Sequence, residues 1–347
     1  MQRSRCGADQ IASNNGFQPT SSCVCLIMAV FLALIAALTG CAVHYTADRD
    51  LRSPQPVPDA VAAEFAYPKT DVMYSETLLE DKDAYIVRRI EFESMHNVIP
   101  VPHTIRMDYY ALKNVENAPV ILVLPILGGK NVIANMFARY FAENGYAAVI
   151  VHRQREYREI AEIEQVNPTL QQMVIDHMQA LDWIETRKEL DVSRIGAFGV
   201  SMGAIKAAML APLDPRIKAA VLGLPGGDIA YLLAYSTERG IRRNHSSYIE
   251  QTGFTAEELY NHLRAEITCD PISFAPYLNP ADVLMFIAWF DTSVPYSRGK
   301  ALWRAAGRPE VVYLVSGHLS AYVYLPYVRA KALSFFNRRL GADDALP

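Results

Sequence analysis

The sequence predicts an α/β protein with a mostly parallel sheet and helices on both faces, and three observations carry that prediction. Apolar runs recur at 120–124, 146–151, 217–222 (interrupted by Lys218), 283–289 and 311–315, which is how strands covered on both faces read. Stretches with apolar residues at helical spacing separate them. Alternation of this kind implies parallel strands joined by helical crossovers. Finally, a short apolar strand at 195–198 runs through Gly199-Val200-Ser201-Met202-Gly203 into the helix formers of 204–210. That segment reads as a tight strand-to-helix turn with a serine at its tip.

The bulk properties bound the answer. With 347 residues, 51% hydrophobic and 20% charged, the chain buries a sizeable core and forms one large domain with additions. A net charge of −4 and scattered Arg and Lys supply no basic field, which excludes nucleic acid as a partner.

The first forty residues stand apart from the fold. Arg3 and Arg5 precede an uncharged apolar run at 24–38, too short for a comfortable membrane span and long enough for a signal-peptide core. It ends Leu38-Thr39-Gly40-Cys41, which resembles the lipobox of bacterial lipoproteins. That resemblance implies cleavage before Cys41 and lipidation of its thiol, so that the bilayer becomes a partner; a retained signal-anchor helix is the alternative. In such lipoproteins an aspartate after the cysteine favours the inner membrane. Ala42 stands there, so the expected location is the outer membrane, facing the periplasm. Of the five cysteines, Cys6, Cys23 and Cys25 would leave with the signal peptide, and Cys269 would remain as a packed thiol with no disulfide partner.

From 42 to about 70 the chain is polar and punctuated by Pro54, Pro56, Pro58 and Pro68, and reads as an extended tether. Residues 85–92 and 103–112 alternate and carry β-branched and aromatic residues, predicting an antiparallel pair. After the strand at 120–124, residues 131–144 show helical spacing and close at Gly145. The charged stretch 152–165 reads as surface. A long helix at 169–190 leads into the elbow strand. Beyond the strand at 217–222, residues 228–280 break the rhythm with many tyrosines and a helix at 256–266 capped by Thr255, an inserted cap over the site. The strand at 283–289, a helix at 298–306, the strand at 311–315 and a helix at 324–339 complete the chain. The expected organisation is signal peptide 1–40, tether 41–70, core 71–227, cap 228–280 and core 281–347.

In such a sheet, functional loops lie at the carboxyl ends of strands. Three of them carry complementary chemistry: Ser201 in the elbow, Asp291 after 283–289, and His318 after 311–315. A serine hydroxyl becomes a nucleophile when held exposed, near a base and beside backbone N–H donors. The crowded elbow requires small residues at Gly199 and Gly203. Over roughly 85–339 the chain resembles the α/β-hydrolase superfamily, whose triad follows the order Ser, Asp, His. Asp-x-x-Val-Pro at Asp291 and Gly-His at His318 are similar to its acid and base loops. That resemblance implies Ser201 as nucleophile, His318 as base and Asp291 as the acid orienting it. It also implies oxyanion donors at Met202 and in the turn after Leu124. Relatives often have His-Gly-x in that turn; here Pro125 lacks an N–H, which leaves Leu127 first and Ile126 second.

Asp228 and Asp282 are rival acids, although Asp282 precedes its strand. His96, His103, His152, His177, His245 and His262 show no paired metal spacing, and neither metal nor cofactor is expected. Arg153, Arg155, Arg158, Arg242 and Arg243 are candidates for an acidic substrate or simply a solvated face. The expected function is hydrolysis of a small-molecule carboxylic ester through an acyl-enzyme. The same machinery could serve a peptidase, thioesterase or dienelactone-type hydrolase, and an inactive hydrolase fold would serve as an envelope binding protein.

Overall fold

A computed structural model describes residues 42–45, 53–128, 131–154, 157, 162–237 and 239–341. The expected signal peptide, Cys41, Arg155 and Arg158 lie outside them. Among the described residues, no helix is long and apolar enough to cross a membrane.

The strands are β1 (Val43–Tyr45), β2 (Ser75–Asp81), β3 (Tyr85–Glu93), β4 (Thr104–Leu112), β5 (Ala118–Leu124), β6 (Ala147–Val151), β7 (Leu190–Val200), β8 (Ile217–Gly223), β9 (Val283–Ala288) and β10 (Glu310–Leu314). They form one sheet in the order β1-β10-β9-β8-β7-β5-β6-β4-β3-β2. Every pair from β10 to β6 is parallel. The flanking pairs β6–β4, β4–β3, β3–β2 and β1–β10 are antiparallel. The long-range parallel centre explains the apolar runs, since both faces of each strand are covered.

Residue alternation divides those runs between two cores. Val120, Leu122, Val149, Ala197 and Met285 face one layer, while Ile121, Val123, Ile150, Phe198 and Phe286 face the other. Helix α1 (Asp59–Glu64) lies in the N-terminal segment; α2 (Val132–Ala142), α3 (Val166–Glu185) and α4 (Met202–Leu213) follow β5, β6 and β7. Phe137 and Phe141 of α2 fill the second layer, with the tilted rings of Phe137 and Phe198 4.1 Å apart between centroids, a pair worth about 1 kcal/mol beyond its buried area. Helices α3 and α4 cover the first layer through residues such as Leu181, Trp183 and Met209.

Residues 228–280 carry α5 (Ile229–Tyr235), α6 (Arg239–Thr252), α7 (Ala256–Glu266) and α8 (Pro271–Phe274). Thr255 caps α7, as the sequence predicts, and Glu258 completes a reciprocal capping box with it. The core then resumes with α9 (Tyr296–Ala305) after β9 and α10 (Leu325–Leu340) after β10; α10 packs Phe335 and Phe336 beside α2.

Three expectations need correction. The segment 42–70 is not a free tether: Val43–Tyr45 pair with β10, His44 Nε2 lies 2.7 Å from Glu310 Oε1, and Phe65 is buried in the core. Branched and aromatic residues at 43–45 suit an edge strand, and the proline punctuation masked them. Strand β2 was not foreseen, because its residues are nearly all exposed and show no apolar face. The long helix begins at Val166 and ends at Glu185, since Pro168 is tolerated in a first turn.

Candidate active site

The elbow is built by steric necessity. Ser201 adopts φ 55° and ψ −120°, a sparsely populated conformation whose cost the surroundings must override. Its N–H donates to Gly223 O at 2.8 Å, pinning the tip to β8. A Cβ on Gly199 would sit 2.3 Å from the backbone of Gly203, and one on Gly203 would sit 2.0 Å from Leu124 O. Both glycines are therefore dictated by backbone contact. The same contact brings the turn after β5 against the first residue of α4. As a result Ile126, Leu127, Ser201 and Met202 line one cavity of about 990 Å³.

His318 lines the same cavity. Its Nδ1 lies 2.7 Å from Asp291 Oδ2, while Asp291 Oδ1 accepts the N–H groups of Ser293 and Val294, each at 2.9 Å. Three polar contacts thus converge on the buried carboxylate and fix its orientation. A carboxylate at Nδ1 requires the proton there, which leaves Nε2 as the basic lone pair. Phe290 N donates to Ser316 O, and Gly317 N to Ser320 Oγ, so the acid and base loops are tied together. No hydrogen bond joins Ser201 Oγ to His318 among the described residues; the two share the cavity wall.

Met202 opens α4, so its N–H has no acceptor within the helix and the dipole's positive end lies at Ser201. In the turn after β5, Arg153 Nη1 donates to Leu127 O at 2.6 Å, fixing the peptide between Leu127 and Gly128. The role of Arg153 in holding this turn was not anticipated, because it depends on an approach between β6 and β5 that sequence spacing does not reveal.

Beneath the elbow lies a buried polar cluster that the sequence reading also missed. Asp176 accepts from His103 Nε2 at 2.9 Å, from Gln172 Nε2 at 3.0 Å and from Tyr157 OH. His177 Nδ1 bonds Met173 O at 2.5 Å, and burial, followed by the nearby Lys206 charge, holds its ring well below the usual histidine range. Lys206 is buried in α4; burial pushes its ammonium down to about 7, Arg153 adds to the depression and Asp176 opposes it. The available signal was a lone lysine in the otherwise apolar stretch Ala204-Ile205-Lys206-Ala207-Ala208. His103 and His177 are thus buried packing residues within a hydrogen-bonded network. Small groups next to this cluster, including Leu127, Met202 and Lys206, also line a second, minor pocket.

The rival acids are occupied elsewhere. Asp228 caps α5, accepts from Arg298 Nη1 at 2.6 Å and meets Tyr260 OH. Asp282 bonds Asn279 and pairs with Arg339. Cys269 is buried against Met209, and burial raises its thiol well above the usual range, so it is an inert packed thiol. Arg242 and Arg243 lie on α6 and do not line the cavity.

Residues 107–234 match the Dienelactone hydrolase family. An uncharacterised protein of Mycobacterium tuberculosis is 28% identical over 159 residues, 46% of this chain and 36% of that protein. The YtaP protein of Bacillus subtilis is 28% identical over 170 residues, 48% of this chain and 53% of its own. The matched stretches thus span about a third to a half of these relatives. Among solved structures, an acetyl xylan esterase from Paenibacillus sp. R4 superposes with a TM-score of 0.62 at 19% identity, covering 81% of this chain and 92% of that one. The chain has the α/β-hydrolase fold, and its residues 107–234 are similar to the Dienelactone hydrolase family.

Proposed function

We propose that the chain is a serine hydrolase that cleaves a carboxylic ester through an acyl-enzyme on Ser201. The observation that carries this reading is the Asp291–His318 pair at 2.7 Å on the wall of the cavity that holds the elbow serine. His318 Nε2 takes the proton from Ser201 Oγ as that oxygen attacks the carbonyl carbon, and the hydrogen bond between them forms as substrate orders the pair. The imidazolium is stabilised by Asp291. The tetrahedral oxyanion is met by the N–H of Met202 and by one from the turn at Ile126 and Leu127. Each such donor contributes on the order of 3 kcal/mol in the transition state. His318 returns its proton to the departing alcohol, and a water activated by the same ring then hydrolyses the acyl-enzyme. The lining is mainly apolar, with Ile229, Leu232 and Ile241 contributed by the cap, which suits an acyl chain better than a charged group.

The test is covalent labelling with a fluorophosphonate probe. An adduct on Ser201, absent from Ser201→Ala, supports the nucleophile. Folded protein that gives no adduct and no p-nitrophenyl ester turnover overturns the enzyme reading in favour of a binding role.

The tetrapeptide ending at Cys41 supports a second proposal, that the chain is lipid-anchored in a bacterial outer membrane facing the periplasm. Replacement of Cys41 by Ser should release the protein to the soluble fraction on cell lysis; continued membrane association would overturn it.

A further inference from the structure

The rim of the cavity is apolar, and it is continuous with the point where the anchor would leave the fold. Val43 pairs with Tyr313 in an antiparallel register, so the chain preceding Val43 runs toward the carboxyl end of β10, where His318 follows. Cys41 stands two residues before Val43 in the chain. Ala42 packs against the second core layer, so the last residue before the anchor is held by the domain.

From Val43 outward runs a series of apolar residues, with Lys300 Nζ donating to Tyr313 OH at 3.0 Å on its flank. Val43 is itself exposed, and its partner Tyr313 stacks on Trp289 at 6.2 Å. Next come Phe290, 66% exposed, and Leu319, 78% exposed, with Tyr322 and Val323 also exposed; Phe290 and Leu319 line the cavity. The two loops that form this rim, 289–294 and 316–325, contain no Lys, Arg or Glu, and their single Asp is the buried Asp291. An uncharged rim with Trp and Tyr among aliphatic residues has the composition of a membrane interface.

We infer that this rim rests on the bilayer that receives the Cys41 acyl chains, so that the cavity opens onto lipid and draws amphiphilic esters from it. This inference rests on the proposed anchor and on the proposed esterase site, and its experiment separates the three. Trp289 is a natural reporter, because Trp183 and Trp303 are buried. Full-length lipidated protein is bound to phosphatidylethanolamine–phosphatidylglycerol vesicles containing brominated phosphatidylcholine. Expected is loss of the Trp289 share of the emission, and no loss in Trp289→Phe. Protein that cosediments with vesicles while its emission is unchanged overturns the inference and leaves the anchor standing; protein that fails to cosediment overturns both.

Activity supplies the second readout. Trp289→Glu with Val323→Glu, neither of which lines the cavity, should lower turnover of a long-chain ester dissolved in the vesicles by about tenfold or more. Turnover of a water-soluble acetate ester should stay unchanged. Equal turnover of the vesicle-borne ester in both proteins overturns the inference. Loss of the acetate reaction upon Ser201→Ala scores the esterase site independently.

Discussion

Asp291 and His318 are 27 residues apart in sequence and meet at 2.7 Å, Oδ2 to Nδ1, because β9 and β10 are parallel neighbours whose carboxyl-end loops share the bond from Phe290 N to Ser316 O. The carboxylate selects the tautomer in which Nε2 is the base. Asp291→Asn keeps the shape and allows the other tautomer, so kcat for a p-nitrophenyl ester should fall by about 10⁴-fold, with the fold retained by circular dichroism.

Strain at the tip of the elbow predicts a stability–activity trade. Ser201→Gly removes the proposed nucleophile and also relieves a backbone with φ of 55°. Net of the greater freedom of glycine in the unfolded chain, the variant should gain about 1 kcal/mol, read as a thermal midpoint raised by about 2 °C. Ser201→Ala keeps the strain and should melt with the wild type.

Gly203→Ala should do the opposite. Its Cβ would meet Leu124 O at 2.0 Å, a backbone atom that cannot swing aside. The expected loss is about 3 kcal/mol or more, together with loss of fluorophosphonate labelling, because the same contact brings the proposed oxyanion turn to α4.

Lys206 predicts a pH-dependent stability. Its folded value is about 7 against 10.5 for the free side chain. Below about pH 7 the amine is protonated in folded and unfolded chains alike, so the burial penalty is fully present. Between 7 and 10.5 the unfolded chain holds a proton that the folded chain has released, so stability rises with pH across that window. Lys206→Met lacks this linkage. Its advantage over the wild type in urea unfolding should be largest near pH 6 and shrink toward pH 9; an advantage that does not change with pH would overturn the buried-amine account.

The parallel centre of the sheet was readable because each strand there is covered on both faces, which forces residues such as those at 120–124 to be apolar without interruption. The N-cap at Thr255 was readable because it is a local device. The loops of Ser201, Asp291 and His318 were readable for a topological reason, since parallel strands gather their carboxyl ends on one edge. What escaped notice depends on folded approach. Strand β2 is recruited by its partner β3 despite an exposed, charged sequence. Arg153 reaches Leu127 only once β6 lies beside β5. Val43–Tyr45 is too short for periodicity to be read, and its role is visible only from the register with β10.

That short pairing governs how the sheet ends. All five residues of β10 are buried, and Val43–Tyr45 cover the N–H and C=O groups on its outer side. The far edge, β2, is protected by other means, with Glu76, Glu80 and Asp81 discouraging a further strand from adding. A protease that trimmed the chain past Tyr45 would uncover β10 alone, an apolar ladder without such gatekeepers. Clipped protein should therefore tend toward intermolecular strand addition and aggregation, a liability that the intact N-terminal segment suppresses.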